Sequence, residues 1–332
     1  MKLEMEQSMS DNIMRKDDPR YIEATIKHSP SLKDPLERQI KEIIEKEVIS
    51  TPFAEDMVNK LRDYVISNWK DAYSHLNQPD YVHDLTQKGN VETAEIMNSK
   101  IISGEENVRK LKEGNPIMIV SNHLATFKLI SMNEKELREM GVTGPVLDIY
   151  YPYIGFTAPF CPITKILKDN IYEAAVEAPV KLGEIFRATG NIDVPPRING
   201  NSSGENNNNG EEGRADVLTE SLRDLMARHQ NAAFVIFPEG GTTGKRSGGK
   251  IYSLENFKKG SFVIAAKLGL PILPVVQYFN PNSGFELGAL EPFVPEDRTN
   301  YPEAKSKEYY GNIAESTRGK MQNWLDQRRQ AI

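Results

Sequence analysis

Short apolar runs punctuate an otherwise polar chain, and each closes on residues that turn the backbone. Ala232-Ala233-Phe234-Val235-Ile236 ends in Phe237-Pro238-Glu239-Gly240. A continuous apolar run of that length, bounded by proline and glycine, predicts a buried strand that stops in a tight turn. Pro116-Ile117-Met118-Ile119-Val120 is a second such run and ends in Ser121-Asn122-His123. A third, Leu270 to Val276, follows a helix-like segment from Asn256 to Leu268 that closes at Gly269, a common helix stop. Strand, helix, strand in succession predicts an α/β sheet.

Other stretches carry the helical period. Between Pro35 and Leu76, Ile40, Ile43 and Ile44 and then Leu61, Tyr64, Val65, Ile66 and Trp69 fall at helical spacing. A small helical N-terminal region over 1–90 is expected, followed by one larger domain over 91–332. Leu218, Leu222 and Leu225 predict a helix feeding the Ala232 strand, and 306–330 reads as a polar closing helix. Asn199 to Gly213, with its asparagine run, is too polar to bury anything and is expected to be a disordered insertion. Tyr150 to Pro179 reads as a further insertion, its aromatics suited either to a core or to lining a groove.

The strand ends carry the candidate chemistry. Proline fixes one backbone angle and glycine permits close approach, so Glu239 is expected at a rim where α/β folds build their sites. A plain strand exit with a solvated carboxylate is the alternative. Of the five histidines, only His123 directly follows a predicted strand, as a general base or as a hydrogen-bonded structural residue. The loop Gly241 to Lys250 mixes glycines with Lys245, Arg246 and Lys250. It offers main-chain N–H groups and cations to a phosphate, or is simply a basic surface loop, and it lacks the spacing of a nucleotide-binding P-loop.

In order, Ser-Asn-His, Phe-Pro-Glu-Gly, Phe257-Lys258-Lys259-Gly260-Ser261 and Leu-Pro-Ile-Leu-Pro-Val resemble the glycerolipid acyltransferase family, also called PlsC-like, over about Asn115 to Val276. The resemblance implies an α/β domain with a mixed central sheet flanked by helices. It implies acyl transfer in phospholipid biosynthesis, from acyl-CoA or acyl carrier protein to glycerol 3-phosphate or its 1-acyl derivative, lysophosphatidate, with no cofactor and no metal. His123 would be the base and Glu239 would bind the glycerol part of the acceptor. Gly240, Thr242, Lys245 and Arg246 would cradle its phosphate, and Arg197 would match the family's further arginine, with Arg187 as its rival.

One departure stands out. Where the family pattern His-x4-Asp places a carboxylate to orient the imidazole, this chain has Lys128. A lysine near the ring opposes the imidazolium that the transition state requires. Either a carboxylate from elsewhere, with Asp193 and Asp148 as candidates, serves the ring, or the domain binds lipid phosphate or acyl thioester without turnover. A hydrolase of acyl thioesters is a third reading.

Composition narrows the classes. The 332 residues are 39% hydrophobic and 27% charged, as in a globular protein, and the net charge of −6 argues against a general nucleic-acid binder. The one cysteine, Cys161, forms no internal disulfide and suits a reducing compartment. It reads as a small buried hydrophobe. No apolar run reaches the length of a membrane-spanning helix and Met1 to Arg20 has no signal-like apolar core. A cytoplasmic or stromal protein, soluble or peripheral, is expected, with Lys258 and Lys259 beside Phe257 available for membrane contact.

Overall fold

The structure, a computed structural model, describes residues 42, 50–124, 132–133, 135, 149–150, 157–176, 192–194, 208–241, 243–244 and 250–331. Helix α1 (Pro52–Ser74) opens with Pro52, whose missing N–H costs nothing there, and the Thr51 side chain accepts the Ala54 N–H at 3.2 Å. Helix α2 (Pro79–Ile96) packs beside it. Ala54, Met57, Val58 and Leu61 fall on one stripe of α1 and share an apolar cluster with Leu124, Phe279 and Phe285. Helix α1 is thus part of the core of the α/β unit. Residues 90 and 91, where a boundary between the two is expected from sequence, both lie inside α2.

The sheet is built from β1 (Lys100–Ser103), β2 (Ile117–Ser121), β5 (Asn170–Val176), β6 (Ile192–Val194), β7 (Ala232–Ile236), β8 (Ile272–Asn280) and β9 (Gly284–Ala289). Its order is β1-β9-β8-β2-β7-β5-β6. From β8 to β6 all neighbours are parallel, while β9 runs antiparallel to β8 and parallel to β1, so the sheet is mixed. A separate antiparallel pair joins β3 (Met132–Asn133) to β4 (Ile149–Tyr150). Every residue of β2, β7 and β8 is buried, which requires cover on both faces and explains their unbroken apolar runs.

Helices supply that cover. On one face Phe234, Met118 and Val276 pack with residues of α5 (Asn208–Arg228), α6 (Gly260–Leu268) and α7 (Glu303–Gln330). On the other, Ile119, Val235 and Leu273 meet Val108 of α3 (Glu105–Val108), Phe160 in the 3₁₀ turn Ala158–Phe160, and Ile163 and Leu167 of α4 (Cys161–Leu167). Cys161 is buried, and burial pushes its thiol up to about 12, as expected of an inert apolar cysteine.

Three sequence expectations change. The stretch read as an insertion, Tyr150 to Pro179, contains β5, which pairs with β7 inside the main sheet. Its apolar residues are interrupted by Glu173, which hid the strand. Part of the expected disordered segment, residues 208–213, is the first part of α5, while 199–207 lie outside the described residues. Helix growth from the turns anchored by Leu218, Leu222 and Leu225 is cooperative. Finally, the helix expected from Asn256 begins at Gly260, because Asn256 to Lys258 belong to the site described next.

Candidate functional site

Parallel pairing in register sets the site. Val120 of β2 is opposite Ile236 of β7. His123 and Glu239 each come three residues after that pair, so the two strands deliver them to the same sheet edge although the chain separates them widely. The contact is direct: the main-chain N–H of His123 donates to Glu239 Oε1 at 3.2 Å. Thr243 clasps both, with its hydroxyl donating to Glu239 Oε1 at 2.5 Å and its N–H donating to the His123 carbonyl at 2.8 Å. The N–H of Glu255 donates to Glu239 Oε2 at 2.8 Å.

Glu239 is 0% exposed. The sequence reading places it at an open rim with its carboxylate turned to an acceptor. Instead both of its oxygens accept from the protein, and the carboxylate ties the β2 exit, the β7 turn and the 255–258 segment into one unit. Burial raises its proton affinity. The Thr243 hydroxyl and the N–H groups of Glu255 and His123 pull back, the charge of Glu255 adds to the rise, and the result is about 7. The carboxyl therefore titrates near neutrality while holding the loop of His123.

The His123 ring sits against Phe237, ring centroids 4.6 Å apart, and Phe237 in turn lies 6.5 Å from Phe160. Enclosure pulls the imidazole down to about 4, against smaller upward pushes from backbone hydrogen bonds at His123 and Leu124. At neutral pH the ring is uncharged, and the same enclosure disfavours the imidazolium that proton abstraction would form.

Below His123, Asn122 and Gln277 exchange amide contacts. Asn122 Nδ2 donates to the Gln277 carbonyl at 3.0 Å, the Gln277 N–H donates to Asn122 Oδ1 at 2.8 Å, and Gln277 Nε2 donates to the Asn122 carbonyl at 2.8 Å. Ser121 Oγ donates to the Val275 carbonyl at 2.6 Å. The polar residues ending β2 are thus bolted to β8, so the exit direction of His123 is fixed from both neighbouring strands.

Of the residues expected from sequence, the structure brings together His123, Glu239 and Gly240. Gly240 is exposed in the turn after β7 with φ +65°, a left-handed conformation that favours glycine. Thr242, Lys245, Arg246, Arg197, Arg187, Lys128 and Asp148 lie outside the described residues. Asp193 is on β6, separated from β2 by β7 and β5. At the usual strand spacing that is about 14 Å, an unfavourable starting point for a direct partner of His123. Thr243 and Gln277 were missed. Thr243 follows Glu239 by one helical turn's spacing in a glycine-rich loop, a weak signal, and Gln277 is the one amide in the strand run that continues Leu273 to Phe279.

Residues 173–278 match the family described as Acyltransferase. That segment is what the chain has in similarity to the family. This segment runs from β5 to β8 and includes Glu239, Thr243 and Gln277, and β2 with His123 inserts between its strands β7 and β8. The crystal structure of the 1-acyl-sn-glycerophosphate (LPA) acyltransferase PlsC from Thermotoga maritima is similar to this chain at 16% sequence identity, over 86% of this chain and 95% of that one, with a TM-score of 0.38. No curated protein sequence matches the chain. Among the described residues no helix is long and apolar enough to cross a membrane, and no cluster of His, Cys, Asp and Glu could hold a metal ion.

Proposed function

We propose that the acyltransferase segment, completed by His123, moves a fatty acyl group from a thioester donor, acyl-CoA or acyl carrier protein, to the hydroxyl of glycerol 3-phosphate or 1-acylglycerol 3-phosphate. The observation that supports this reading best is the hydrogen bond between the His123 main chain and Glu239, which fixes a neutral imidazole at the edge of the acyltransferase sheet. His123 takes the proton from the acceptor hydroxyl as its oxygen attacks the thioester carbonyl. The carbon–sulfur bond breaks as the ester forms, and the proton passes from the imidazolium to the departing thiolate. Glu239 acts on this reaction through the backbone it holds. The acceptor phosphate is assigned to cations around the turn, with Lys245, Arg246 and Arg197 as the sequence candidates.

Incubation with labelled acyl-CoA or acyl carrier protein and each acceptor, followed by lipid analysis, tests the reading. A new ester that disappears in His123→Ala is the expected result. Unchanged ligands would leave a binding module without turnover, which Lys128 in the place of the orienting carboxylate favours. In that case neither the parent nor Lys128→Asp is expected to form product, whereas in an otherwise family-like site Lys128→Asp is expected to raise acyl transfer at least about tenfold. Free fatty acid with no ester would indicate a thioester hydrolase.

A further inference from the structure

The segment between the Glu239 turn and α6 runs alongside that turn and is stitched to it. Glu255 N–H donates to Glu239 Oε2 at 2.8 Å, and Lys258 N–H donates to the Pro238 carbonyl at 2.8 Å. The backbone of Lys258 is therefore held by the turn that presents Gly240. Its side chain then lies over the glycine. A Cβ at position 240 would fall 2.8 Å from Lys258 Cε and closer still to Nζ. The ammonium group fills the space where any other residue at 240 would place its side chain. The backbone angle at 240 favours glycine, and the absence of a side chain there leaves room for this cation. Both residues are exposed, at the sheet edge that carries His123.

The next residue goes elsewhere. Lys259 lies against α7, where a Cβ on Gly311 would be 3.6 Å from its Cε and 3.9 Å from its Nζ. Two adjacent lysines of equal charge thus have different destinations, one at the site turn and one on a helix.

We propose that Lys258 is a binding residue for the phosphate of the acceptor, an inference that rests on the acyltransfer reading above. A lysine ammonium is a compact charge suited to a phosphate monoester. Here its backbone is held to the turn by the Lys258 N–H bond to the Pro238 carbonyl, and the side chain reaches over Gly240. The anion so held would lie one residue from the carboxylate that anchors His123, which leaves the hydroxyl end of a glycerol phosphate to face the imidazole.

The test is a comparison of Lys258→Met, Lys258→Arg and Lys259→Met. Calorimetric binding of glycerol 3-phosphate with no donor present, competition by inorganic phosphate, and steady-state kinetics with a thioester donor are the readouts. Lys258→Met is expected to weaken glycerol 3-phosphate binding at least about tenfold, the usual scale of a charge-assisted contact, and to raise KM with kcat little changed. Lys258→Arg is expected to stay within about threefold of the parent, and Lys259→Met to match it. All three are expected to keep the parent's melting temperature. Equal binding by Lys258→Met, an equal loss in Lys259→Met, or a parent that does not bind glycerol 3-phosphate would overturn the assignment. Ester formation with an unchanged KM in Lys258→Met removes this inference and leaves acyl transfer standing. Phosphate binding that depends on Lys258 in a protein that forms no ester does the reverse.

Discussion

Two buried glutamates, Glu239 and Glu286, answer the same problem in opposite ways. Both side chains are removed from water, at 0% and 2% exposure, and both are fully engaged with the protein. Glu286, on β9, receives the Arg328 guanidinium of α7 through Nε at 2.5 Å and Nη2 at 2.8 Å, with Asn280 and Ser283 adding donors. Burial pushes its carboxyl up, and the guanidinium with the two neutral donors more than reverses this, leaving it below its ordinary value. Among the described residues Glu239 has neutral partners, an alcohol and two main-chain N–H groups, and rises to about 7. A countercharge makes the first carboxylate a permanent fastener between the hairpin and the last helix. The lack of one among the partners of the second leaves its charge adjustable at the pH where an acyl transfer would run.

The sharpest way to break the comparison is to remove each carboxylate's support. Glu239→Ala strands two N–H groups and a hydroxyl inside the protein, and about 3–5 kcal/mol of stability is expected to go, with the activity. Denaturant unfolding measures it. Arg328→Met leaves Glu286 without its ion, and since the arginine side chain is about a quarter exposed, a loss of about 2–3 kcal/mol is expected by the same method. Activity should follow stability only, because neither Glu286 nor Arg328 touches His123 or Glu239 in the hydrogen bonds that hold the site.

Acidity sharpens the contrast. A carboxyl raised in the folded state stabilises the protein fully below its unfolded value and loses that contribution as pH climbs through the folded value. For Glu239 the window runs from 4.5 to about 7. Melting temperatures between pH 5 and 8 should therefore fall less steeply in Glu239→Gln than in the parent, the difference amounting to about 2 kcal/mol across the window. Glu286, with its lowered value, contributes above its unfolded value and loses that contribution only as pH falls through the folded one. Thr243→Val removes one donor from Glu239 and should cost about 1–2 kcal/mol while shifting the pH profile of activity upward, and Thr243→Ser should restore both.

Asp169 extends the comparison to a carboxyl with no hydrogen-bond partner among the described residues. Both of its oxygens are buried, and burial raises it to about 7. Asp169→Asn should stabilise the protein by about 1 kcal/mol at pH 8 and by less at pH 5, read from the same melts.

The sheet was legible where chemistry and hydrophobicity coincide. Ala232 to Ile236 was readable to the residue, because a strand buried on both faces needs an unbroken apolar run and Pro238 and Gly240 mark its end. The strand at Ile117 and the helix stop at Gly269 were readable for the same reasons. Strands β1, β6 and β9 were not. The first is half polar and mostly exposed at an edge, the second is three residues long, and the third contains Gly284, Glu286 and Gly288. Glu286 reads as a surface residue until Arg328, far along the chain, is placed beside it.

The site was legible in its parts but not in its wiring. His123 and Glu239 could be named from their strand ends, whereas the hydrogen bond between them depends on a register that no local pattern specifies. The same is true of Thr243, whose role comes from two bonds to partners on different strands. Lys258 could be noticed only as part of a basic pair. Its difference from Lys259 depends on which way each side chain leaves the start of α6.

The bond from His123 to Glu239 also has a place in time. It joins residues that become neighbours only after β5, α5 and β7 have been made and β7 has docked on β2, and distant parallel pairings of this kind form slowly because a long loop must close first. The histidine can exist, and even lie in a formed strand exit, before it is held in position. In the finished protein its main-chain amide is shut behind a buried carboxylate, so exchange with solvent requires β2 and β7 to part. That single amide is a clock for the assembly of the site, silent through the early events and protected only when the two strands have met.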